Sequence, residues 1–160
     1  MYAALLIFLI IACDQLTKLW IVDNFALYES KIIVPGFFNL TFITNRGAAF
    51  GFLNGDYGPW RHIFFVVVAI VALVFLVTAY KQFKDESRLY GFSICLIASG
   101  AIGNLIDRLR LGAVIDFLDF YVNDYHWPVF NVADSAITVG VALFVMGHLF
   151  LSKKQKKLQF

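Results

Sequence analysis

HIFFVVVAIVALVFLVTAY, residues 62–80, carries no acidic side chain, no lysine and no arginine. At about 1.5 Å rise per residue, a helix of this length nearly matches a hydrocarbon core of roughly 30 Å. The run therefore predicts a membrane-spanning helix. The rest of the chain agrees: 160 residues are 61% hydrophobic and 15% charged, with a mean hydropathy of +0.77. A soluble domain of this size needs more polar side chains than that to cover itself. A net charge of +2 gives no reason to expect a nucleic-acid partner.

Working outward, Leu89–Ile106 is a second charge-free run, and 132–152 is a third, marked only by Asp134 near its start. Residues 2–22 make a fourth, interrupted by Asp14, Gln15 and Lys18. The expectation is an α-helical integral membrane protein, one domain over 1–160, with spans at 2–22, 62–80, 89–106 and 132–152. Lysine and arginine set its orientation. Three fall in 81–88 and four in 153–157, so seven of the thirteen lie in two short segments on one side. By the positive-inside rule both termini are expected in the cytoplasm, and 23–61 and 107–131 face outward. Cys13 and Cys95 lie inside apolar runs and read as small hydrophobes, not as a disulfide or metal ligands.

IIAC (10–13) has the form of a signal-sequence cleavage box, but no lysine or arginine precedes it and the apolar run continues to Val22. It is read as part of a span. Among the outward segments, FFNLTFIT (37–44) alternates as a strand does, between the turn signals Pro35-Gly36 and Asn45-Arg46-Gly47. GAAFGFLNG (47–55) suits a second strand, giving a small extracytoplasmic β-sheet on the membrane surface. Around 116–122, Phe117, Phe120 and Tyr121 share a helical face, which predicts a short interfacial helix.

The charged residues then need a reason to be where they are. Asp14 and Lys18 are four apart and pair across one helix face, a reading that makes them bundle support. Ala98, Ser99, Gly100, Ala101 and Gly103 let another helix approach. Asn104 and Asp107 share a face, and Arg108 either snorkels to headgroups or holds a carboxylate or carbonyl. Asp116 and Asp134 sit among apolar residues without a basic neighbour. Two carboxylates sharing such a site oppose each other's ionisation, as in aspartic proteases. Asp134 alternatively caps the fourth span. On these grounds a protease and a non-enzymatic protein handling protons or lipid stand level. HExxH and GxSxG are absent, which disfavours a zinc protease and the common serine hydrolase elbow. The charges gather at one interface and not at mid-membrane, unlike a transporter's.

DQLTK (14–18), NRGAAFG (45–51), GAIGNLIDR (100–108), VIDF (114–117) and FNVADSAI (130–137) occur in this order along the four spans. In this the sequence resembles the lipoprotein signal peptidases, the signal peptidase II family of the bacterial cytoplasmic membrane. The resemblance implies an aspartic endopeptidase that removes the signal peptide from diacylglyceryl prolipoproteins before the lipidated cysteine. It implies Asp116 and Asp134 as the catalytic pair, and Asn45 and Arg108 as contacts to the substrate backbone. It places Asn104 and Asn131 beside the dyad and gives Asp14, Lys18 and Asp107 a supporting role. The sheet would cradle substrate and the interfacial helix would act as a lid. It implies a monomer among membrane lipids, with no metal and no cofactor, its active site facing outward. Asp119 matches no family motif and is left out of the expected site.

Overall fold

The computed structural model describes residues 2–47 and 59–157, residue 59 and the stretch 151–157 by backbone alone. The order of elements is α1 (Tyr2–Asn24), β1 (Ser30–Val34), β2 (Phe38–Asn45), α2 (Pro59–Phe83), α3 (Arg88–Leu111), β3 (Val114–Val122), β4 (Tyr125–His126) and α4 (Val132–Lys157). All four helices are long and apolar enough to cross a membrane. They correspond to the four expected spans, each with ragged ends of a few residues. α3 runs one turn past its expected end, to Leu111, and keeps Asp107 inside the helix.

Local sequence explains the helix ends. Pro59 opens α2, where its missing N–H costs nothing. Ser87 caps α3 by accepting from the Leu89 N–H at 3.2 Å. Gly112 ends it in the left-handed region (φ 69°), donating its N–H to the Arg108 carbonyl.

α3 is the hub, packed against α1, α2 and α4. Half of its most apolar window is buried in protein, against 11% for α2, which shows most of its surface to lipid. The small-residue stripe on α3 makes that possible. A Cβ at Gly100 would collide with the Ala133 carbonyl oxygen of α4, and one at Gly140 would lie 2.8 Å from the Ser93 carbonyl. Close backbone approach of this kind replaces the hydrophobic drive that lipid removes. Trp20, Trp60 and Trp127 are all exposed at the sheet end of the bundle, the position of an interfacial aromatic belt.

The sheet is antiparallel, in the order β1-β2-β3-β4. The Pro35-Gly36 turn (Gly36 φ 76°) joins β1 to β2 as the sequence suggests. β1 itself was not anticipated. The expected second strand over 47–55 lies outside the described residues except for Gly47.

The interfacial helix expected at 116–122 is not there: this segment is β3, paired with β2 through Phe38–Phe120 and Ile43–Asp116. VIDFLDFYV is apolar but for Asp116 and Asp119, so its pattern does not by itself separate a buried strand from a helix. In the strand, Ile115 and Phe117 turn into a core with Ile21, Phe25 and Phe42, while Phe120 leaves by the other face and stacks on Phe130. β-branched and aromatic residues fit a pleated, half-buried surface, and a waiting partner strand decides the matter. That core welds the sheet to the end of α1.

Candidate active site

Between α3, the start of α4 and the sheet lies a cavity of about 690 Å³, whose lining includes Asn45, Asn104, Arg108, Asp116, Trp127 and Asp134. Four chain segments far apart in sequence thus bring together the polar residues singled out above.

Asp116 enters from β3 and is 2% exposed. Its Oδ1 accepts from Asn131 Nδ2 at 2.7 Å and its Oδ2 from Asn45 Nδ2 at 3.2 Å. Burial, followed by the nearby charge of Asp134, pushes its carboxyl up to about 7, against the hydrogen bonds of Asn45 and Asn131. Asp116 therefore exchanges a proton near neutrality.

Asp134 enters from the first turn of α4. It does not cap the helix, as one reading of the sequence allowed. Asn131 is the cap: its Oδ1 accepts from the Asp134 N–H at 2.9 Å, and Asp134 Oδ2 accepts from the Asn131 N–H at 3.3 Å. This reciprocal capping box fixes the carboxylate's direction. Its other oxygen accepts from Asn104 Nδ2 at 2.7 Å. Both aspartates are thus held at 2.7 Å by an asparagine amide, Asn131 for Asp116 and Asn104 for Asp134, and Asp116 has Asn45 on its other oxygen. Asn131 also donates to the Ile115 carbonyl and to Asn104 Oδ1, so the two holders are themselves bonded.

Asn45 turns its Oδ1 to the Gly47 N–H at 3.0 Å, an Asx turn that ends β2 and leaves the amide aimed at Asp116. Arg108 lies over the Phe65 ring at 5.3 Å and makes one long bond, 3.5 Å, to the Asn104 carbonyl. Asp134, Asp116 and Asp107 all act on its charge.

Asp14, Lys18 and Asp107 lie behind this site, inside the bundle. The Lys18 ammonium meets Asp14 at 2.9 Å and Asp107 at 2.8 Å, and donates to Asn104 Oδ1 at 3.0 Å. The i,i+4 pair read from DQLTK is present. Its third member, from α3, was unforeseen as a partner. Gln15 was also missed: its amide donates to Asp14, to Asp107 and to the Gly103 carbonyl. Its place inside the DQLTK motif was the available signal.

Asp119, left out of the expected site, is three residues from Asp116 and so on the opposite face of β3. Its carboxylate accepts from Asn39 and Thr41 at 3.1 Å and faces His126 Nδ1 at 2.7 Å. Burial works against its charge, yet the bonds from His126, Asn39 and Thr41 outweigh it and hold the carboxyl below its usual range. Among the described residues no grouping of three or more His, Cys, Asp and Glu side chains could hold a metal.

The sequence model of the family described as Signal peptidase (SPase) II matches residues 6–150. The chain belongs to this family. The lipoprotein signal peptidase of Geobacter metallireducens is 49% identical over 145 residues, 90% of this chain and 88% of that one. That of Geobacter sulfurreducens is 50% identical over 133 residues, 83% and 82% of the two chains. A solved bacterial membrane enzyme, determined by the in meso method at 2.3 Å resolution, superposes with a TM-score of 0.86 at 33% identity, covering 96% of this chain and 90% of its own. The protein is therefore a multi-pass membrane enzyme of the aspartic signal peptidase II class. Membership settles the choice between protease and non-enzymatic handler that the residues alone left level.

Proposed function

We propose that this signal peptidase II cleaves diacylglyceryl prolipoproteins just before the lipidated cysteine, with Asp116 and Asp134 as the catalytic pair. The observation that carries this reading is that both aspartates face one cavity, each held by asparagine amides, with Asp116 poised near pH 7. Two carboxyls that share one proton can work as base and acid together. The ionised member takes a proton from water as its oxygen attacks the scissile carbonyl carbon. The protonated member donates to the carbonyl oxygen. Collapse of the tetrahedral intermediate breaks the C–N bond and sends a proton to the departing cysteine amine. Asn45 and Arg108, at the cavity wall, would bind the substrate backbone and keep the carbonyl over the water. Asn104 and Asn131 orient the carboxyls.

The site's depth suits such a substrate. A lipid-anchored cysteine joined to a membrane-spanning signal helix presents its scissile bond at headgroup level, and the cavity lies where spans end and sheet begins. The enzyme would work as a monomer among lipids in the bacterial cytoplasmic membrane, with both termini cytoplasmic and the cavity outside. Reporter fusions at Gln82 and Asn123 check that orientation by landing on opposite sides.

The test is cleavage in detergent of a purified diacylglyceryl prolipoprotein peptide beside its unlipidated twin. Cleavage of the lipidated form, lost in Asp116→Asn and in Asp134→Asn, is expected. Substantial turnover by either folded variant would remove the dyad mechanism.

A further inference from the structure

We propose that Asp14, Lys18 and Asp107 are positioning residues that set the catalytic aspartates relative to each other, by gripping the backbone immediately before each of them. This rests on the dyad assignment above. Asp14 Oδ1 accepts from the Ala133 N–H at 2.9 Å, one residue before Asp134. Asp107 Oδ2 accepts from the Ile115 N–H at 3.1 Å, one residue before Asp116. Lys18 joins the two carboxylates. A continuous path then runs from Ile115 through Asp107, Lys18 and Asp14 to Ala133, using three side chains from two helices. The third Lys18 donor closes a second route, through Asn104 Oδ1 to the amide that holds Asp134.

Physical cost argues for this role over plain bundle support. Asp14, Lys18 and Asp107 are 0%, 1% and 1% exposed. Burying such a set carries a desolvation penalty that apolar residues of similar volume would avoid, often with equal or better stability. Helix approach is already provided by Gly100 and Gly140. What apolar side chains cannot do is accept hydrogen bonds from two chosen N–H groups. The Ala133 N–H is also one of the first-turn donors of α4 that the helix cannot satisfy itself, so Asp14 caps a neighbouring helix at the turn bearing Asp134. The geometry shows how little slack there is: a Cβ at Gly103 would come within 2.6 Å of Asp14 Oδ2.

The experiment measures kcat and KM per folded enzyme on the lipidated peptide, across pH, for Lys18→Met, Asp14→Asn and Gly103→Ala. If the three residues position the dyad, Lys18→Met lowers kcat on the order of 10- to 100-fold, as small displacements of reacting groups do, with KM within about threefold. Asp116 faces the charges of Asp134 from α4, Arg108 from α3 and Lys18 from α1, and Lys18 favours its ionised form. The acid limb of the profile should therefore also move to higher pH in Lys18→Met. Gly103→Ala keeps every charge but displaces Asp14; its kcat should fall with the profile unmoved. A purely structural role predicts less folded protein but wild-type kcat and profile in what remains, and that result overturns the inference. If Lys18→Met does not fold, Asp14→Asn and Gly103→Ala decide by the same kcat criterion. Asp116→Asn serves as the control: if it cleaves, the dyad assignment fails. If it is inactive while the other variants keep full kcat, only the positioning role fails.

Discussion

Two groups of carboxylates lie within one bundle and are treated oppositely. Asp14 and Asp107 are fully buried around Lys18, with Gln15 and two backbone N–H groups satisfying what remains. Asp116 and Asp134 accept from neutral asparagine amides and one backbone N–H, and face an open cavity. The first set is compensated and inert. The second is left with charge to trade, and Asp116 near pH 7 shows the consequence. The same residue type is therefore placed in two settings, in direct contact with an ammonium in one and against asparagine amides beside a cavity in the other.

The largest effect expected from breaking this contrast is on turnover. Asp116→Asn and Asp134→Asn should each reduce cleavage by about 10³-fold or more, and the double variant should be no worse than either, because groups acting as a unit are not additive. Rates on the lipidated peptide check this; additive losses would mean the two do not act together.

Stability should respond in the opposite sense. Removing Lys18 strands two buried carboxylates, so Lys18→Met should cost about 3–5 kcal/mol of unfolding free energy, read by denaturant titration in detergent. Asp116→Asn should be neutral or stabilising at pH 8. The sign follows from linkage: with its carboxyl near 7 in the folded protein and at the ordinary 3.8 in the unfolded chain, the native state binds the extra proton between those limits. Wild-type stability from this group is thus present at low pH and lost as pH rises through 7, a slope that Asp116→Asn should abolish.

Arg108→Lys sharpens the comparison by keeping charge while losing the planar fork and its stacking on Phe65. About a tenfold fall in turnover is expected; wild-type rates would mean the guanidinium is not a substrate contact. The smallest effect belongs to the far face of β3. His126 is half exposed, so His126→Ala should cost about 1 kcal/mol or less. A larger loss in a melting experiment would show that the Asp119 pair matters to the sheet more than its exposure suggests.

Much of this architecture was legible along the chain. The four spans are written in 62–80 and its three counterparts because lipid demands long uninterrupted apolar runs. Motif order picked out the residues that do meet at the cavity. β3 was misread because Phe117, Phe120 and Tyr121 share a helical face in a short apolar segment that fits a strand as well. Only the presence of β2 alongside distinguishes them. β1 went unread because its five exposed residues show no burial alternation to detect.

What the sequence by itself determined is the membrane class, the spans and the family, since each depends on local composition or on residue order. Tertiary structure alone decided which carboxylates pair. Asp14 reaches α4 across more than a hundred residues, Asp107 meets Lys18 on another helix, and Asn131 takes the cap that leaves Asp134 free to face Asp116's cavity. No local pattern encodes these meetings. A charge's partner is set by three-dimensional proximity in a low-dielectric interior, and that proximity exists only once the helices have packed.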